Sequence, residues 1–316
     1  MEKRELGKSG IKVVPFCFGG NVFGWTIEEP TSFQLLDAFT DAGLDFIDTA
    51  DVYSYWAHNG VGGQSETIIG NWLKKSGKRS DVIIATKVGK PMGDNKKGLS
   101  AKYISQAVED SLKRLQTDYI DLYQSHDDDQ NTPLEETLEA YDKLIKAGKV
   151  RAIGASNYSA GRLKQALKVS KDNGFAAYQT LQPEYNLYDR QGYEKELEPV
   201  CLENSLGVIT YYSLASGFLT GKYRSNEDFN KSKRGGGMQK YLNDRGVKIL
   251  NALDRVAKEY EATPAAVSLS WLIARPSVTA PIASATSVEQ LSQLAKAVEL
   301  DLDKEAIDLL DEASAY

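Results

Sequence analysis

Six polar residues close or directly follow short apolar, β-favouring runs: Asp48 after Phe46-Ile47, Lys87 after Ile83-Ile84-Ala85-Thr86, and His126 after residues 119–125. Ser156 and Asn157 follow Ile153-Gly154-Ala155, and Gln182 follows residues 178–181. One polar residue at the end of an apolar run is an ordinary solvated cap. Five successive runs ending this way aim polar groups at one mouth if the runs are parallel neighbours. Their types suit proton transfer. A carboxylate and an ammonium buried without partners cost several kcal/mol, so Asp48 and Lys87 at neighbouring strand ends are expected to pair. Tyr53 stands five residues beyond Asp48, in the loop that leaves the same run. A phenol with a pKa near ~10 is a poor acid at neutral pH, and an adjacent lysine cation is expected to stabilise its phenolate and lower that value. Tyr53 is therefore the candidate general acid.

The elements that must hold these groups alternate. β-rich runs fall at residues 13–18, 46–49, 82–87, 119–124, 152–155, 178–182, 208–212 and 279–282. Helical periodicity fills the spaces at 33–42, 65–75, 101–115, 134–147, 160–172, 194–204, 247–259 and 288–298. Further helices are expected at 264–274 and 303–313. Ser65 is a candidate helix cap, Pro133 a first-turn residue, and Gly43 and Gly148 follow helix ends. Eight alternating strands and helices fit an α/β fold of the closed (β/α)8 TIM-barrel type, with long loops on the C-terminal face. No Gly-x-Gly-x-x-Gly follows the first strand, as a doubly wound nucleotide-binding sheet would require. Residues 225–241, polar, basic and glycine-rich, read as a lid, a ligand clamp or a mobile belt.

The chain has 316 residues, 41% hydrophobic and 26% charged, an ordinary globular composition. Its 38 basic and 44 acidic residues give a net charge of −6, which argues against nucleic acid or an anionic membrane as partner. No apolar run approaches the ~18 residues of a membrane span. Two cysteines, Cys17 and Cys201, make no disulfide framework, and two histidines are too few for a histidine-rich metal site. We expect a cytoplasmic, monomeric protein with no metal.

Longer motifs carry a resemblance. Gly43-Leu-Asp-Phe-Ile-Asp48-Thr-Ala-Asp-Val-Tyr53 resembles the Gly-x-x-x-x-Asp-Thr-Ala-x-x-Tyr signature of the aldo-keto reductase superfamily. Ile84-Ala-Thr-Lys87 is similar to its lysine strand, and Asp118-Tyr-Ile-Asp-Leu-Tyr-Gln-Ser-His126 to its histidine strand. Gly154-Ala-Ser-Asn157, Gln179-Thr-Leu-Gln182, the string from Tyr212 to Lys222 and residues 282–291 extend the likeness over the whole chain.

The resemblance implies a single barrel domain over residues 1–316 that reversibly transfers a hydride between NAD(P)H and an aldehyde, ketone or keto-sugar. Tyr53 would be the acid, Lys87 would lower its pKa, Asp48 would hold Lys87, and His126 would orient the carbonyl oxygen or relay the proton. Ser156, Asn157 and Gln182 match positions that bind the nicotinamide carboxamide, and Tyr212 matches the ring stacked on the nicotinamide. Ser213, Leu214, Gly217, Leu219, Gly221 and Lys222 would line the pyrophosphate, with Lys231, Lys233 and Arg234 near enough to close over it. Relatives selective for the 2′-phosphate of NADPH commonly carry a Lys or Arg after the eighth strand. This chain reads Ala283-Ser-Ala-Thr-Ser-Val-Glu-Gln290, leaving Ser284, Thr286 and Gln290 as neutral donors. NADP(H) is the expected cofactor, with NAD(H) as the second possibility. Trp25 and Trp56 fall where the family builds its substrate pocket. Two other readings stay open: a cofactor-binding regulatory subunit of the same fold with little turnover, as in potassium-channel β subunits, and a barrel lyase or isomerase using Lys87 as a Schiff-base amine.

Overall fold

Pro15 divides the first apolar run, because its ring fixes φ and removes the amide a strand ladder needs. In the computed structural model, which describes residues 1–93, 95–231 and 235–316, the Phe16 amide closes a tight turn on the Val14 carbonyl at 2.7 Å. The single strand expected at 13–18 is thus two elements. Before the turn, β1 (Arg4–Glu5) and β2 (Lys12–Val13) pair as an antiparallel hairpin; after it, β3 (Cys17–Gly19) enters the main sheet.

The rest of the chain alternates: α1 (Glu29–Asp41), β4 (Phe46–Asp48), α2 (Gln64–Ser76), β5 (Ile83–Val88), α3 (Ala101–Leu115), β6 (Ile120–Ser125), α4 (Leu134–Lys146), β7 (Val150–Ser156), α5 (Ala160–Asn173) and β8 (Thr180–Gln182). It continues through α6 (Glu198–Asn204), β9 (Gly207–Thr210), α7 (Asp244–Glu259), α8 (Pro264–Ile273), β10 (Val278–Ala283), α9 (Val288–Ala295) and α10 (Lys304–Ala313). Strands β3 to β9 pair in sequence order, all parallel, and β10 pairs with both β9 and β3. The sheet therefore closes as a (β/α)8 TIM barrel.

Alternation along the strands makes two cores. Inward residues Cys17, Phe46, Ala85, Leu122, Ala152, Ile209 and Ala280 fill the lower barrel, and Leu6, Ile11 and Val13 of the hairpin plug its floor. Gly7 brings that hairpin so close to β8 that an added Cβ would lie 2.1 Å from the Gln179 carbonyl oxygen. Outward residues such as Ile84, Tyr123 and Ile153 pack against the helical ring. With the floor sealed, the barrel interior opens toward the C-terminal mouth.

Helix starts follow local chemistry. Ser100, Ser159, Asn243, Thr263, Ser287 and Asp303 each accept a hydrogen bond from the amide three residues on. The helix expected at 194–204 opens instead with a wider π turn, Tyr193–Leu197, ahead of Pro199. Segment 225–241 contains 3₁₀ stretches at Asn226–Lys231 and Gly235–Tyr241, and Tyr241 stacks on Phe218 with centroids 5.1 Å apart. No helix among the described residues is long and apolar enough to cross a membrane.

Ser65 does not cap α2; Gly63, with φ of 92°, takes that place. The Ser65 hydroxyl is buried, donating to the Gly20 carbonyl at 2.8 Å and bonding the Thr49 hydroxyl at 2.7 Å. It thereby clamps the loops that leave β3 and β4. Ser65→Ala leaves the Gly20 carbonyl with the Phe23 amide alone, at 3.1 Å, and strips the buried Thr49 hydroxyl of its partner, so a loss of about 1–3 kcal/mol in urea-unfolding stability is the expected outcome.

Candidate active site

Closure and register bring the polar strand ends together. Asp48 is the last residue of β4, opposite Gly19 of β3 and Ala85 of β5; Lys87 lies opposite Gln124; Ser156 lies opposite Gln182. Lys87 and Asp48 form an ion pair at 2.6 Å with side chains 0% and 1% exposed. The Lys87 ammonium also donates to the Thr49 carbonyl at 2.8 Å and to the Tyr53 hydroxyl oxygen at 2.9 Å. All three of its hydrogens have acceptors. A nitrogen engaged by three acceptors and closed off from solvent is poorly placed to attack a carbonyl as a Schiff-base amine. The second Asp48 oxygen accepts from the side-chain amides of Gln182 at 3.0 Å and Gln124 at 3.3 Å.

Tyr53 stands partly buried over this pair, its hydroxyl 3.4 Å from Asp48. Here the sequence expectation needs correcting. Burial first, and then the Asp48 carboxylate, hold the Tyr53 phenol well above its ordinary pKa, so it keeps its hydrogen at neutral pH. Lys87 donates to the phenol oxygen without overcoming those effects. The His126 ring lies 6.0 Å from the Tyr53 ring, centroid to centroid. Burial, then the cations Lys87 and Lys90, hold His126 well below its ordinary pKa, and its Nδ1 has no protein hydrogen-bond partner. A neutral imidazole faces a neutral phenol.

The other candidate positions divide by side-chain direction. Asn157, in a left-handed conformation (φ 58°), donates to the His126 carbonyl at 3.0 Å and to Asp127 at 2.7 Å, and accepts from Tyr211 at 2.9 Å. Ser156 donates to the Gln182 carbonyl at 3.0 Å. Gln182, expected to face a ligand, spends its amide hydrogens on Asp48 and Gln124. Tyr212 is 51% exposed, an unusual state for so large a ring, and its left-handed backbone (φ 49°) turns it out at the mouth. Ala215, Ser216 and Gly217 continue in the left-handed region, making a tight backbone cradle in which Gly217 lies under Lys222.

Two residues expected in that cradle do not point into it. Ser213 is buried and hydrogen-bonded to Thr210 at 2.8 Å, and Leu219 is fully buried core; each can offer a ligand only its backbone. Leu214 is half-buried, and Gly221 (φ 78°) ends the turn beneath Arg224. Lys231 donates to the Lys222 carbonyl at 3.1 Å and pairs with Asp228 at 2.7 Å; Lys233 and Arg234 lie outside the described residues. After β10, Ser284 turns inward to the Gly19 carbonyl and Asn21, while exposed Thr286 and Gln290 are joined at 3.0 Å.

At the rim, Trp25 and Trp56 meet edge to face at 5.5 Å, and Trp56 reaches the Tyr53 ring at 6.4 Å. Trp56 remains 50% exposed. His58 and Ser54 tie this wall to the Gly24 and Phe23 carbonyls. Gln124, Tyr211 and Asp127 were not singled out from sequence. Gln124 sits within the histidine-strand motif and precedes His126 by two, which is the signal that would have found it. Among the described residues no group of three His, Cys, Asp or Glu could hold a metal.

Residues 15–315 match the aldo/keto reductase family. The chain belongs to that family. Among similar aldo/keto reductase relatives, the uncharacterized oxidoreductase YrpG of Bacillus subtilis is 38% identical over 99% of this chain and 95% of its own length. The aldo-keto reductase YhdN of the same organism is 34% identical over 96% and 91%. A probable voltage-gated potassium channel subunit beta of Arabidopsis thaliana is also 34% identical, over 95% and 92%. An aldo/keto reductase is an oxidoreductase, and the family generally uses NAD(P)H.

Removing one partner of the Asp48–Lys87 pair strands the other charge. Lys87→Met is expected to lower unfolding stability by about 3–5 kcal/mol, and Asp48→Asn/Lys87→Met by less than the sum of the single changes, in a denaturant double-mutant cycle. His126 supplies a pH test. Because its folded pKa lies below the ordinary 6.5, the unfolded chain takes up the proton first, so this contribution is present above that pH and lost as pH falls through it. Wild type should lose up to about 1.4 kcal/mol per pH unit more than His126→Asn below that point.

Proposed function

We propose that residues 1–316 form one NAD(P)H-dependent carbonyl reductase in which Tyr53 is the general acid, Lys87 and Asp48 sustain it, and His126 orients the substrate. The observation that carries this reading is the Lys87 ammonium at 2.9 Å from the Tyr53 hydroxyl oxygen, inside a mouth lined with exposed aromatic surface. The chemistry supplied by such a cofactor when bound is transfer of a hydride to or from a carbonyl carbon.

This chain's residues do the rest. As the carbonyl oxygen gains charge, the Tyr53 hydroxyl gives it a proton, and Lys87 stabilises the phenolate left behind. Asp48 holds Lys87 in place, with Gln124 and Gln182 steadying the second Asp48 oxygen. His126, held neutral, donates from its ring N–H to the same carbonyl oxygen and accepts no proton itself. The half-exposed face of Tyr212 is the platform for the nicotinamide. Ser156 and Asn157 would hold the carboxamide. The left-handed turn at 215–217, with Leu214, Gly221 and Lys222, cradles the pyrophosphate. Thr286 and Gln290, with Ser284 behind them, face the adenosine end. NADP(H) is the first choice and NAD(H) the second, since the phosphate site offers hydrogen bonds without a cation.

Trp25 and Trp56 wall the substrate side, which favours aromatic aldehydes, ketones or keto-sugars able to lie against a ring. Neither nucleic acid nor a membrane is a partner in this reading, and the protein works as a cytoplasmic monomer. The likeness to potassium channel β subunits supports a second reading, a cofactor-loaded regulatory subunit with slow turnover.

Tyr53→Phe is expected to bind nucleotide as wild type does in fluorescence titration and to lose roughly 10²- to 10⁴-fold in kcat; unchanged turnover would remove Tyr53 from the acid's role. Thr286→Arg should raise the NADPH/NADH ratio of kcat/KM, and a fixed ratio would mean that residue 286 does not meet the 2′-phosphate.

A further inference from the structure

Behind the Tyr53 loop, on the outer side of the barrel, lies a buried polar cluster for which the reaction above has no use. Asp51, three residues from Asp48 and two from Tyr53, is 1% exposed, and neither carboxyl oxygen has a protein hydrogen-bond partner. The hydroxyls of Tyr123 on β6, fully buried, and Tyr103 on α3 also lack one. Tyr123 stands opposite Thr86, whose hydroxyl donates to Glu66, while Gly62 packs on the Asp51 backbone and Gly63 on Arg114, so these groups gather around the Glu66–Arg114 pair, and Asp51 raises the pKa of both phenols. Buried polar atoms without a protein partner are rare, and three together mark a place for ordered water.

The charged neighbours are already committed. Glu66 of α2 accepts from Thr86 at 2.6 Å and pairs with Arg114 of α3 at 2.7 Å, and Arg114 also reaches Ser111. An ionised Asp51 would face the Glu66 carboxylate with the one nearby guanidinium taken. Burial first and Glu66 second hold its carboxyl well above the ordinary range, against the cations Arg114 and Lys87. The backbone of Asp51 is as constrained as its side chain. Its amide donates to the Lys87 carbonyl at 3.2 Å, while the Lys87 ammonium donates to the Thr49 carbonyl at 2.8 Å, so the 49–51 turn grips Lys87 at both ends. Gly62 packs over it so closely that an added Cβ would lie 2.6 Å from the Asp51 carbonyl oxygen.

We propose that Asp51 is a positioning residue for Tyr53: its buried carboxyl group shares ordered water with the phenols of Tyr103 and Tyr123 and so ties the 48–53 turn to α3 and β6. The rate consequence rests on Tyr53 acting as the acid; the protonation state does not. The test is infrared difference spectroscopy of the full chain at neutral pH, wild type against Asp51→Asn, in H₂O and D₂O, with kinetics alongside. The expected spectrum has a protonated-carboxyl carbonyl band in wild type that moves in D₂O, vanishes in Asp51→Asn, and shifts in Tyr103→Phe and Tyr123→Phe. Asp51→Ala should lower kcat by about 10- to 100-fold with nucleotide affinity unchanged, the scale of a small misplacement, and Asp51→Asn should restore most of that rate. Absence of the band would show an ionised Asp51 and overturn the proposal, as would wild-type kcat in Asp51→Ala. If Asp51→Ala fails to fold, the band shift in the two phenylalanine variants decides, and a band indifferent to both overturns the shared-water link. A wild type without turnover would defeat the reductase reading and leave the infrared result standing.

Discussion

The site depends on keeping one cation and one anion dry. Lys87 and Asp48 are both essentially inaccessible to solvent, and burial of either alone would cost several kcal/mol. Their 2.6 Å contact is not enough by itself, since an ammonium has three hydrogens and a carboxylate two oxygens to satisfy. Thr49 and Tyr53 take the remaining ammonium hydrogens, and Gln124 and Gln182 serve the second carboxylate oxygen. Tyr53 is therefore bound to the pair as one of its solvating groups, and the proposed acid is held in place by the demand of a buried charge.

Only a closed barrel supplies those partners from so many separate segments. The four side chains around Asp48 come from β5, β6, β8 and the loop after β4, which meet because β10 pairs with β3 and completes the ring. The hairpin residues Leu6, Ile11 and Val13 close the floor, and the apolar interior below Asp48 keeps water from entering from that side. The loops above are stitched in turn by Ser65, Ser54 and His58. Stability and chemistry share these contacts, so changes at the pair should register in both.

Most of the fold was legible because its two periodicities are clean: apolar runs that end in a polar residue, separated by amphipathic segments. All eight barrel strands fall within the runs read from sequence or pass their ends by one or two residues. The first was misdrawn because apolar content continues across Pro15, although the missing amide ends the ladder there. In the site, spacing identified Asp48, Tyr53, Lys87 and His126 as neighbours, since strand ends fix where a side chain starts. Spacing does not fix where it points. Ser65, Ser213, Leu219 and Gln182 each stand at the expected place with the side chain turned to a different partner, chosen by packing from other parts of the chain. The direction of the Tyr53 pKa was illegible for a related reason, because burial and then Asp48 set it, and both depend on how the folded chain packs around the ring.

The central claim is that this buried pair serves a reacting carbonyl. The most direct measurement is a nicotinamide absorbance assay of the wild-type protein with NADPH and with NADH against a panel of aromatic aldehydes, short ketones and keto-sugars. Oxidation that requires and saturates with a carbonyl compound is expected, with a larger kcat/KM for NADPH. Nucleotide that binds yet is oxidised by no member of the panel would contradict it and favour the regulatory reading, and failure of either nucleotide to bind would remove the functional conclusion altogether.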